Sequence, residues 1–240
     1  AEAIELLDDL PTIEHDQLAR YLLGIAYLAT GEADAALRVF EAPLQNPSDA
    51  FLLLSMVAAG AGDDAQKAND LARHLVSKFA GELPRLARTE LGIAALVAAA
   101  QAYEQTGRLD EAAGLASQIP RANLSPSQRV QLGDLHYRAG EYQAAATHYE
   151  EVLAQAAVDA DIYLAAARNY ADALLAQRRW GDAKRAYERV IALTPFDTVA
   201  YYHYGWALIG LNERPAAQEA FQTAAERGYE PARDVLAKHF

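Results

Sequence analysis

The sequence predicts an all-α protein built as a solenoid of about six helix–turn–helix repeats. Two 34-residue units near the C-terminus share one residue pattern. Gly205, Leu208, Ala217, Phe221 and Ala224 sit 34 residues after Ala171, Leu174, Ala183, Tyr187 and Val190. A period of this length, with small, large and aromatic classes in one order, is the signature of stacked helical hairpins. The same order recurs upstream, around Gly24, Ala100 and Gly133. The composition is rich in Ala and Leu, 52% hydrophobic, with no evident strand pattern.

Taken in chain order, Ala1–Leu10 parallels the later stretch that starts at Arg185, with Leu6, Leu7 and Pro11 matching Val190, Ile191 and Pro195. Residues 1–11 are therefore expected to be the trailing helix of a preceding repeat or an N-terminal cap. Repeats follow at about 17–50, 51–88, 89–125, 126–163, 164–197 and 198–231, and Pro231–Phe240 reads as a short closing helix with Arg233, Asp234 and Lys238 outward.

The first repeat carries Gly24, Tyr27, Gly31, Ala36 and Phe40, and Pro43 predicts a short second helix. The second is degenerate, through Met56, Ala68, Ala72 and Leu75. In the third, Ala100 lies 44 residues after Met56. Pro84 suits a first helical turn, so one long helix over 84–106 is expected to absorb part of that excess. The fourth carries Gly133, Gly140, Tyr142, Ala145 and Tyr149. Its 38-residue spacing to Ala171 predicts about one extra helical turn near 154–163.

Gly24, Ala100, Gly133, Ala171 and Gly205 are small because two helices of a hairpin cross closely there. Ala36, Ala68, Ala112, Ala145, Ala183 and Ala217 are the facing small residues. Phe40, Tyr149, Tyr187 and Phe221 lie one turn further on and fill the space between hairpins. Gly31, Gly107, Gly140 and Gly181 are placed in the short connections, and Pro47, Pro120 and Pro195 after second helices.

This pattern resembles the tetratricopeptide repeat (TPR). Leu23-Gly24, Tyr27, Ala36, Phe40 and Pro47 fit it, as do Ala183, Tyr187 and Pro195, and Tyr201, Gly205, Ala217, Phe221 and Ala224. The resemblance covers about nine-tenths of the chain. Ala224-Ala-Glu-Arg-Gly-Tyr229 is also similar to the Sel-one-like repeat. The resemblance implies a right-handed superhelix with a groove lined by first helices, acting as a noncatalytic scaffold for a protein partner.

Other function classes find little support. A net charge of -12 argues against a nucleic-acid surface, which needs clustered Lys and Arg, and disfavours anionic lipid. Without cysteine there is no disulfide, Cys-based metal site or thiol catalysis. The six histidines show no compact metal-binding spacing, and His136 stands where the repeat packs a core Tyr. Nucleophile-elbow, kinase and phosphate-loop motifs are absent. No enzyme activity, cofactor or metal is expected. The longest apolar run, Ile93–Ala100, is too short to span a bilayer. A soluble protein is expected, with the compartment open between cytoplasm and periplasm.

The family's inner-face offsets imply partner-binding residues. In the first repeat they fall on Tyr21, Leu22, Ile25 and Leu28; in the second on Leu53, Leu54 and Val57; and in the third on Val97, Gln101 and Glu104. The fourth gives Gln131, Asp134, Tyr137 and Arg138, the fifth Arg168, Asn169 and Asp172, and the sixth Tyr202, His203 and Trp206. The early part is apolar and the later part polar and aromatic. The same family offsets imply that Arg168, Tyr202 and Trp206 share one concave surface, and because aromatics with Arg dominate interface energetics, this half of the groove is the expected recognition site.

Some relatives clamp a C-terminal carboxylate with Lys and Asn. Here Asp172 stands where that clamp wants Asn, and the implied inner face has no lysine. A neutral to basic, partly apolar segment is the expected partner. The alternative is a structural or assembly module of a larger protein, such as a bacterial secretion or envelope protein, acting through self-association or domain docking.

Overall fold

The computed structural model describes residues 83–88 and 90–240, with Gly81 and the isolated helical positions Leu23, Gly24, Tyr27, Ala35, Val39 and Val76. The helix expected over 1–11, nearly all of the repeats expected at 17–50 and 51–88, and the inner-face residues Tyr21, Ile25 and Leu28 lie outside the described residues. No strand occurs among the described residues; the architecture is an all-α helical repeat. The chain forms two compact units, 1–124 and 125–240.

In the first unit, α1 (Leu83–Leu86), α2 (Glu90–Gln105) and α3 (Leu109–Ala116) precede a 3-10 turn at Arg121–Asn123. Small residues let α2 and α3 pack closely: Ala99, Ala100, Ala112, Ala113 and Ala116 are buried with Tyr103. The single helix expected over 84–106 does not form. A turn at Ala87 and Arg88 separates α1 from α2. The Ala87 N–H closes α1 on the Leu83 carbonyl at 2.9 Å.

The second unit contains α4 (Pro126–Arg138), α5 (Tyr142–Leu153), α6 (Ala160–Ala176), α7 (Trp180–Leu193), α8 (Thr198–Gly210), α9 (Arg214–Glu226) and α10 (Glu230–His239). Helix starts follow from local chemistry. Ser125 and Gln128 form a capping box before α4, with the Gln128 N–H donating to Ser125 Oγ at 3.2 Å and the Ser125 N–H donating to Gln128 Oε1 at 2.9 Å. Asp159 caps α6 and Asp197 caps α8. The 17 residues of α6 against 13 in α8 are one extra turn, which accommodates the longer 38-residue spacing.

Within the second unit each helix packs on the next, and α4, α6 and α8 also touch one another in turn. First helices thus form one layer and second helices another. The contact within each hairpin is set by small residues. A Cβ at Gly133 would lie 2.5 Å from Tyr149 Cε1, and one at Gly205 would lie 2.7 Å from Phe221 Cε1. Tyr149 and Phe221 are fully buried against these positions, Tyr187 is fully buried in the core that holds Ala171 and Ala183, and Ala145, Ala183 and Ala217 have no exposed surface.

The hairpin turns each need one left-handed residue. Gly107 and Gly140 supply it at φ 75° and 80°. Gly181, expected in a connection, instead lies inside α7. The left-handed position is taken by Arg178 at φ 58°, and in the next hairpin by Asn212 at φ 63°. Asn tolerates this conformation, whereas Arg adopts it at some cost.

Candidate functional site

Two aspartates on successive first helices are held in the same way. Asp134 Oδ1 on α4 accepts from the Tyr149 hydroxyl at 2.6 Å and from Asn169 Nδ2 on α6 at 2.7 Å. Asp172 Oδ1 on α6 accepts from the Tyr187 hydroxyl and is 2.8 Å from His203 Nδ1 on α8. A carboxylate only accepts, so His203 donates from Nδ1. In each case one donor comes from the second helix of the same hairpin and the other from the first helix of the next. The bonds therefore orient the carboxylates and tie successive hairpins together. In the last hairpin Trp206 and Phe221 take these places, and the polar pair becomes an aromatic contact at 5.6 Å between ring centroids.

Burial pushes the Asp134 pKa above its ordinary value, while the bonds from Tyr149 and Asn169 and the charge of Arg138 pull the other way. Burial also raises Tyr149 and Tyr187, with the adjacent carboxylates adding to the effect, so both phenols stay protonated and keep donating. The Asp134 shift has a signed consequence. A carboxyl whose pKa is raised by folding contributes stability that is present below its unfolded value and is lost as pH rises through its folded value. Asp134→Asn cannot ionise there. Its melting temperature relative to the native protein should therefore rise as the pH is raised above the ordinary aspartate range. A flat or falling difference in thermal melts would contradict burial as the dominant influence on Asp134.

Two adjoining depressions open on this layer. The smaller, about 200 Å³, is lined by Asp134, Tyr137, Arg138, Tyr149, Asn169 and Asp172. The larger, about 560 Å³, lies between α6 and α8 and shares Tyr137 and Asp172 with the first. Its other walls include Leu175, Trp180, His203, Trp206 and Ile209, with Arg178 also on the lining. The Trp180 indole lies so close to Gly210 that a Cβ there would collide with it. That contact holds the first residue of α7 against the end of α8.

The structure thus gathers Tyr137, Arg138, Asn169, Asp172, His203 and Trp206 around adjoining depressions. It does not bring Arg168 to them. Arg168 Nε is 2.7 Å from Asp197 Oδ2, so the guanidinium is drawn to the N-cap of α8. Arg168 and Trp206 consequently do not share the surface expected for them. Tyr202 does not line either depression but stands behind their wall: its ring packs on Tyr229 at 5.1 Å and Phe221 at 5.7 Å, and also on His203 at 5.5 Å and Trp206 at 6.2 Å. Sequence offsets missed Leu175, Arg178, Trp180 and Ile209. The available signal was Trp180, one of two tryptophans, just after a hairpin turn.

Another depression uses the side of α6 about half a turn away, with Tyr170, Leu174, Arg179, Arg185, Arg189 and Leu193 among its lining. His136 is buried and its Nδ1 lies 2.7 Å from Glu141 Oε2, which accounts for it as a packed histidine. Among the described residues no helix is long and apolar enough to cross a membrane, and no cluster of three or more His, Asp or Glu could hold a metal ion.

The tetratricopeptide repeat family model matches residues 130–171 and 169–231. No curated protein matches the chain. Among solved structures, that of YrrB, a TPR protein with an unusual peptide-binding site, is 13% identical, with a TM-score of 0.64 over 85% of this chain and 97% of that one. The C-terminal part of a TPR repeat-containing protein from Cytophaga hutchinsonii is 18% identical, with a TM-score of 0.59 over 98% of this chain and 93% of that one. MamA is 18% identical, with a TM-score of 0.57 over 80% of this chain and 95% of that one. At these identities the solved structures speak to fold alone, and they agree with the family match. None of these comparisons singles out a Sel-one-like unit at the end. The hairpins over residues 130–231 are thus the part of the chain that matches the tetratricopeptide repeat, a family whose members serve generally as protein-interaction scaffolds.

Proposed function

We propose that this protein is a noncatalytic scaffold that binds a peptide or helix of a partner protein along the face formed by α4, α6 and α8. The observation that carries this reading is the larger depression, where apolar and aromatic walls meet an oriented carboxylate. Concave apolar surfaces with a few convergent polar groups are the usual form of a recognition site. The net charge of -12 and the aspartates on this face favour a neutral to basic, partly apolar segment. Tyr137, Arg138, Asn169, Asp172, His203 and Trp206 are the proposed contacts. Arg168 and Tyr202 are assigned to packing at its margin. Six repeats from 17 to 231 form part of the same reading, as does Sel-one-like character at Ala224–Tyr229, which rests on residue resemblance.

Peptides selected from a random display library against the folded protein test this function. Trp206→Ala should weaken the selected peptides by more than about 1 kcal/mol, the range of an interface anchor, with helix content by circular dichroism retained. A library that yields no binder, or binders indifferent to Trp206→Ala, would count against it.

A further inference from the structure

Asp172 is shared by both depressions, and its hydrogen bonds fall on one oxygen. Oδ1 receives the Tyr187 hydroxyl and His203 Nδ1. Oδ2 is left as an acceptor on a side chain that is 30% exposed. The carboxylate is thus fixed in direction by two donors and still has an oxygen to offer. Around it, Tyr137, Trp180 and Trp206 present rings, and Leu175 and Ile209 present aliphatic surface. A long apolar stem ending in a cation fits this combination: the stem covers aliphatic and ring surface, and the head reaches the carboxylate and the ring faces.

Building on the scaffold reading above, we infer that the depression between α6 and α8 receives a basic side chain, arginine or lysine, of the partner. The stem packs between Leu175, Ile209 and Trp206, and the cationic head is held by Asp172 Oδ2. Besides Asp172, the charged or titratable groups lining this depression are Tyr137, His203, already committed to Asp172 Oδ1, and Arg178, which is exposed, and Arg138 lines the adjoining depression that shares Asp172. Arg178 opposes a bound cation by like charge. Removing its charge should therefore tighten binding, which a nonspecific apolar groove would not show. The protein's net charge of -12 draws such a segment in.

The two tryptophans of the chain, Trp180 and Trp206, both line this depression, so intrinsic fluorescence reports on it directly. The probe is a capped pentapeptide, leucine–alanine–X–alanine–leucine, with X as arginine, lysine, citrulline or norleucine. The arginine and lysine peptides should shift the emission saturably. Citrulline, which keeps arginine's shape without its charge, and norleucine should bind at least tenfold more weakly. Asp172→Asn, checked by circular dichroism for retained fold, should abolish the preference for charge, and Arg178→Gln should tighten the cationic peptides about twofold or more.

Uncharged peptides that bind as well as charged ones would overturn the cation assignment while leaving the groove reading intact. Absence of any response would overturn both. An arginine-peptide affinity unchanged in folded Asp172→Asn would remove Asp172 from the site. Should Asp172→Asn unfold, unchanged cationic binding in Arg178→Gln would overturn the assignment by itself. The lysine and arginine arms then show which cation the depression takes.

Discussion

Phe221→Ala is expected to destabilise the protein by about 3–5 kcal/mol, the range for deleting a fully buried aromatic ring. Phe221 has no exposed surface. Its ring lies against Gly205 and faces Trp206 at 5.6 Å, Tyr202 at 5.7 Å and Phe240 at 6.1 Å. The deletion therefore removes the piece that joins α8, α9 and the end of α10. Because repeats are stabilised mainly by their neighbours, the loss should be concentrated in the last hairpin. Amide exchange in α8–α10 should accelerate more than in α4 and α5, and Trp206 emission should shift to the red. A change in urea stability below about 1 kcal/mol, outside the range for such deletions, would show that the ring is not the keystone of that hairpin.

The second large effect is expected at Gly133. Glycine is about 0.8–1 kcal/mol less favourable than alanine in a helix interior, and leucine ranks just below alanine, so propensity favours the substitution. The steric effect opposes it and wins. A Cβ would already stand 2.5 Å from the Tyr149 ring, and that ring is buried with its hydroxyl bonded to Asp134. It cannot swing aside without breaking the bond that orients Asp134. Gly133→Leu should cost about 3 kcal/mol, the upper end of the usual overpacking range. A double-mutant cycle separates this from a general helix effect. Tyr149→Ala empties the space, so Gly133→Leu should be far less harmful in that background, with a coupling of at least about 1 kcal/mol. Additive losses would mean that the two positions do not meet.

Much of this arrangement is legible in the residues alone. The 34-residue recurrence identifies stacked helical hairpins because only a repeating unit keeps small and aromatic positions in phase. Gly133 and Gly205 read as crossing points, and the structure places Tyr149 and Phe221 rings directly on them. The aspartate–tyrosine bonds have a sequence trace as well, since Asp134 and Tyr149 are 15 residues apart, as are Asp172 and Tyr187. Other readings failed for local reasons. The helix expected over 84–106 was inferred from spacing, yet spacing counts residues without saying whether they continue a helix or turn. Gly181 was placed in a connection because glycine commonly sits there, but Arg178 takes the left-handed backbone.

The sequence by itself determined the fold class and the residues that hold each hairpin together, because those depend on volume and periodicity over a few helical turns. Only the tertiary structure decided which polar side chains share a surface. Arg168 and Trp206 have equivalent claims by helical offset, but Asp197 draws one to a helix cap while the other closes a depression. Trp180 joins that depression from a different hairpin position because Gly210 lets its ring approach. Such outcomes turn on where long side chains find a partner across neighbouring helices. Helical phase fixes the direction in which a residue leaves the backbone, and competition among partners in space fixes where its end comes to rest.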